Sequence, residues 1–149
     1  MKELAKLFEE EEKIEKSVRE ISQGVLDLSD YSLARSPIEL AEAEIVGKKI
    51  RNSCDKISEE VHLARQKLGD FMTHTTKVKF KKGERSLHEM ENELSLIHGD
   101  LDAIGRIAED FYKSENRKAA FENLNSHYSE LIQHVTSLML EEANIKEIS

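Results

Sequence analysis

The stretch EEVH places Glu59 three residues before His62, the Glu-x-x-His spacing with which helix bundles hold paired iron ions. Such a centre needs two of these motifs and two further inward glutamates, and the chain has no second Glu-x-x-His. Within EEVHLARQKLGD, His62 also precedes Lys67 and Gly69 by five and seven residues. A histidine that relays a phosphoryl group needs exposure, a nearby cation and a small residue that admits a partner, and the stretch offers those parts. Further along, His127 and His134 stand seven residues apart on one helical face, with Glu130 four before His134. Two histidines two turns apart are not a metal site by themselves, so no metal ligand and no cofactor is assigned.

The stretch KVKFKKGER contributes Lys77, Lys79, Lys81, Lys82 and Arg85 to an otherwise acidic chain. Lysines at a helix C-terminus complement the helix dipole and Gly83 stops a helix, which accounts for the stretch without a ligand. The functional alternative is contact with an anionic membrane surface or an acidic partner. A third reading is a short edge strand, because Lys77, Lys79 and Lys81 alternate with Val78 and Phe80. Only Phe80 interleaves with the lysines, which gives little support for base stacking. Cys54 is the single cysteine, so no intrachain disulfide can form, and it falls at an apolar position where a thiol acts as a small hydrophobe. No glycine-rich phosphate loop, nucleophile elbow or paired-acid motif occurs. No catalytic residue and no small-molecule substrate is therefore assigned.

The elements that position these groups are helices. The chain has 149 residues, 38% hydrophobic and 35% charged, with one proline and no tryptophan. That balance suits long solvated helices and disfavours architectures with many strands and turns. The net charge of −8 argues against a nucleic-acid partner. The N-terminus has four consecutive glutamates, Glu9 to Glu12, and no apolar signal core, so a cytoplasmic location is the expectation.

Apolar residues recur in steps of three and four. The first segment carries Leu4, Leu7, Ile14, Val18, Ile21, Val25 and Leu28, with only Glu11 breaking the seam. SPIEL then reads as a helix start, with Ser36 as cap, Pro37 at the first helical position and Glu39 completing a capping box. The second seam runs through Ile50, Cys54, Ile57, Val61, Ala64, Leu68, Phe71 and Val78, with a kink expected near Gly69. Ser86 with Glu89 reads as the cap of a third segment carrying Leu87, Met90, Leu94, Ile97, Leu101, Ile104, Ala108 and Phe111. The phase slips around YKSENRK, where a turn with Ser114 as the next cap is expected, before Phe121, Leu124, Tyr128, Leu131, Val135 and Leu138.

The spacing predicts an all-α fold: one domain over residues 1–149, an elongated antiparallel up-down bundle of four segments with coiled-coil-like heptad packing. The segments fall at about 2–28, 37–80, 86–112 and 116–142. The second segment exceeds the others in length, which predicts an uncovered seam at Leu68, Phe71 and Val78 and a homodimer or protein partner docked on it. The function expected from these features is a non-enzymatic interaction module: a scaffold, an adaptor or a secretion-type chaperone. Membrane contact through residues 77–85 and phosphorelay through His62 are the alternatives.

Overall fold

A computed structural model describes residues 2–74 and 83–148. The described chain is an all-α bundle. It comprises α1 (Lys2–Glu20), α2 (Ser22–Ser29), α3 (Pro37–His74), α4 (Glu84–Asp110), a 3₁₀ turn at Phe111–Lys113 and α5 (Arg117–Ile148). Only Ile21 separates α1 from α2, and the Val25 N–H donates to the Ile21 carbonyl, so these two form a single arm and the bundle has four segments.

Polar contacts between segments fix the antiparallel order. Ser17 Oγ donates to Glu60 Oε1 and Lys67 Nζ donates to Glu10 Oε1, so α3 runs back along α1. Arg51 pairs with Glu109 at 3.3 Å, which turns α4 against α3. His134 meets Glu93 at 2.9 Å, which turns α5 against α4. The Tyr128 hydroxyl reaches the Val18 carbonyl and Lys146 reaches Glu12, closing α5 onto α1.

The period of three and four explains the packing. Among the described residues, the aliphatic seam residues from Leu4 to Ile145 enter one continuous buried cluster. Two small residues, Ala43 and Gly47, extend the α3 seam toward its N-terminus. At Gly47 the backbone of α3 lies against the backbone of Ala108 in α4, and no side chain larger than hydrogen fits between them. α3 has 38 residues, which at 1.5 Å of rise each makes it about 57 Å long.

The helix starts agree with the sequence at one place and differ at two. Ser36 caps α3: its Oγ accepts from the Glu39 N–H at 3.1 Å and donates to the Glu39 carboxylate at 2.9 Å. Ser86, however, lies inside α4, which begins a turn earlier at Gly83, whose carbonyl accepts from the Leu87 N–H. Gly83 has φ −97° and stands as the N-cap of this helix; the residues before it, on which the stop signal read from KKGER bears, lie outside the described residues. The turn at 111–116 is present, but Asn116 and not Ser114 is the cap of α5, accepting from the Ala119 N–H at 3.0 Å. Ser114 has the extended backbone of a cap residue but lies two residues before Asn116, too far from the first turn of α5.

The expected uncovered seam of the second segment is corrected. Leu68 and Phe71 are both 1% exposed and belong to the same core as Leu4, Leu7, Leu87 and Met90. The starts of α1 and α4 reach far enough to cover them. α3 also continues through Gly69 to His74. The part of α3 that overhangs its neighbour is the N-terminal one, because Gly47 already meets Ala108 near the end of α4.

Candidate functional site

The register of α4 against α5 gathers five side chains that two separate stretches of sequence supply. Glu93 and Asp100 stand seven apart on α4, and His127, Glu130 and His134 occupy one face of α5. His127 Nδ1 lies 3.7 Å from Asp100 Oδ1 and 3.8 Å from Glu130 Oε2. His134 Nδ1 sits 2.9 Å from Glu93 Oε2, and its Nε2 lies 3.7 Å from Asp100 Oδ2. One carboxylate therefore bridges two imidazoles. Asp100 is 7% exposed, and its Oδ2 is buried without a hydrogen-bond partner. Burial raises its pKa, and the neighbouring Glu130 carboxylate adds to that, while His134 and His127 act in the other direction.

Sequence reasoning found the α5 half of this cluster and missed Asp100 and Glu93. They adjoin the seam residues Leu101 and Leu94, and only the pairing of α4 with α5 brings them to the histidines.

His62 is exposed on α3, as is Glu59, in agreement with the outward placement read from the seam. It lines a shallow groove with Arg65, Gln66, Gly69 and Glu91, which continues past Leu63 to His98. Arg65 and Gly69 follow His62 at three and seven residues, on its own face. Lys67, the cation singled out in the sequence, is turned away and bound to Glu10 at 3.0 Å. Although burial works to raise the pKa of Glu10, the hydrogen bonds and charges of Lys67 and Lys13 outweigh it and lower it.

Cys54 is buried, and burial pushes its thiol up to about 12, which leaves no thiolate for chemistry. Val78, Lys77, Lys79, Lys81 and Lys82 lie outside the described residues. Arg85 is exposed in the first turns of α4.

A second feature is apolar. Leu33 in the turn before α3 is 79% exposed, and Ile38 and Ile45 on α3 are 73% and 55% exposed. Ile38, exposed Ala41 and Ile45 fall at steps of three and four, so they form a stripe along the overhanging part of α3. Glu39, Glu42 and Glu44 flank the stripe. Family models, curated proteins and solved structures give no match to this chain. Its function has to be read from its own residues.

No described helix is long and apolar enough to cross a membrane.

Proposed function

We propose that the chain is a non-enzymatic helical interaction module, an adaptor or chaperone-like protein, whose docking face is the stripe of Leu33, Ile38, Ala41 and Ile45. The observation that carries this reading is the contrast between two seams on α3. One is buried from Ala43 to Phe71, while the stripe leaves two isoleucines more than half exposed. Large exposed apolar side chains in a row mark contact surfaces more often than isolated ones do. The occupant that fits is an amphipathic partner helix with apolar residues at the same spacing and Lys or Arg beside them, because Glu39, Glu42 and Glu44 border the stripe. A second copy of the chain would bring the same glutamates against each other.

Photo-cross-linking from positions 38 and 45 in the expressing cell tests this, with Leu96 and Leu140 as exposed controls. The expected result is a discrete adduct from 38 and 45 that disappears in Ile45→Glu or Ile38→Glu respectively. Both substitutions leave stability within about 0.5 kcal/mol, since the side chains are exposed. Equal labelling from all four positions would refute the docking face. A dimer seen by light scattering and dissolved by Ile38→Glu would assign the stripe to a second copy.

One observation favours a second reading, phosphoryl transfer through His62. The imidazole is exposed, with a cation at Arg65 and, at Gly69, open space in which an added Cβ would meet nothing within 4 Å. Incubation with a small phosphodonor should then give an acid-labile phosphate that is absent from His62→Gln. A wild-type chain that stays unlabelled rules this reading out. The membrane reading of residues 77–85 gains no support from the described residues.

A further inference from the structure

We infer that Asp100, His127 and Glu130 hold a first-row divalent cation of the Zn²⁺ class between α4 and α5, with His134 and Glu93 positioning Asp100. This goes beyond the docking face and stands on separate residues.

The geometry comes first. Asp100, His127 and Glu130 each offer one ligand atom, and the three atoms lie within 4.8 Å of one another. A tetrahedral ion with ligands at 2.0–2.2 Å needs them about 3.4 Å apart. The Asp100–His127 and His127–Glu130 separations of 3.7 and 3.8 Å are a few tenths of an ångström from that value. Rotation of side chains alone can close the difference.

The second observation concerns unmet polar groups. Asp100 Oδ2 and His127 Nδ1 are buried atoms without a hydrogen-bond partner. Leaving such atoms unsatisfied is costly; an ion on His127 Nδ1 and Asp100 Oδ1 removes that cost at the imidazole and neutralises the carboxylate whose Oδ2 faces His134. Among the described residues, no Lys or Arg pairs with Glu93, Asp100 or Glu130, so three carboxylates share only two imidazoles. A dication supplies the missing positive charge.

The third observation is an orienting pair. His134 Nδ1 donates to Glu93, which leaves Nε2 facing Asp100 Oδ2. Groups packed behind a ligating carboxylate help to fix its orientation, and His134, held by Glu93, stands 3.7 Å behind Asp100. Imidazole among the ligands favours Zn²⁺, Fe²⁺, Ni²⁺ or Cu²⁺ over Ca²⁺ and Mg²⁺, which take oxygen ligands. Glu130 is about half exposed, so the ion would have a path from solvent and retain a water position. The site is then a clamp that ties α4 to α5, or a centre with an open coordination position.

The experiment is equilibrium dialysis of chelator-treated protein against Zn²⁺, with thermal unfolding and the visible absorption of the Co²⁺-loaded chain as further readouts. One Zn²⁺ per chain and a rise in Tm are expected. Asp100→Asn and His127→Gln should each weaken binding by about tenfold or more and abolish the Co²⁺ bands, and Glu93→Gln should weaken it by about tenfold. His62→Gln and His98→Gln should bind as the wild type does. Glu130→Gln, at a half-exposed position that tolerates the change, decides the matter if Asp100→Asn or His127→Gln fails to fold. The proposal is overturned by less than one ion per chain, by binding that survives Glu130→Gln and His127→Gln unchanged, or by binding that instead depends on His62 or His98.

Discussion

Glu11→Leu makes the bundle more stable at pH 7 by about 1–3 kcal/mol, the cost of a buried polar group left without hydrogen bonds. Glu11 is the one interruption of the α1 seam, and it is fully buried with neither carboxylate oxygen hydrogen-bonded. Burial, with the nearby Glu142 carboxylate second, pushes its pKa from 4.5 up to about 9. Glu142 occupies a seam position on α5 and is also buried; burial raises it, against the opposing effect of Lys146 at 2.9 Å.

The pH dependence follows from linkage. Below pH 4.5 Glu11 is protonated whether the chain is folded or not, and its contribution is at its maximum. Between pH 4.5 and about 9 the unfolded chain releases this proton and the folded chain keeps it, so stability falls as pH rises. Each unit of pH across that window costs about 1.4 kcal/mol per proton in the limiting case. Urea unfolding at a series of pH values should show wild-type stability declining through this window and Glu11→Leu declining less. Parallel profiles would show that Glu11 is not held protonated in the fold.

Gly47→Ala, the smallest side-chain addition, destabilises the protein by about 1–3 kcal/mol through overpacking and lowers Tm by several degrees. A Cβ at position 47 would overlap the carbonyl oxygen of Ala108 and lie 3.0 Å from its carbonyl carbon. Both are main-chain atoms in the last turn of α4, packed directly on α3, so relief requires α3 and the end of α4 to part. The gain in helix propensity from Gly to Ala, about 1 kcal/mol, offsets only part of this. Gly105→Ala is the control. Its Cβ would meet the Arg51 side chain at 2.9 Å, and a flexible arginine can move aside. Thermal unfolding should rank the two with Gly47→Ala clearly lower; equal melting temperatures would mean that the backbones are not in contact there.

What could be read from the sequence was what repeats locally. Ile50 to Phe71 and Leu87 to Phe111 announce their buried faces through spacing alone, and Ser36 with Pro37 announces a helix start. The seam of α3 was lost before Ile50 because Ala43 and Gly47 are small, although their smallness is what lets the helices approach. Glu142 hid the continuation of the α5 seam to Ile145 for the opposite reason, being charged at a core position. Segment length alone puts Leu68 and Phe71 on a docking surface, because it does not tell where each neighbouring helix begins. The His127 cluster depended on a register between two helices, and no local period encodes that register. The apolar stripe at Ile38 and Ile45 lay beside a strong capping signal, which accounted for the local sequence without it.

The antiparallel order has a consequence for how the molecule can be held. An even number of segments returns the chain to the end from which it set out, and Lys146 near one terminus touches Glu12 near the other. Ile38 and Ile45 lie at the far end of a helix about 57 Å long. A tether, label or fused segment joined to either terminus therefore leaves at one pole of the molecule, and the apolar stripe is presented at the other.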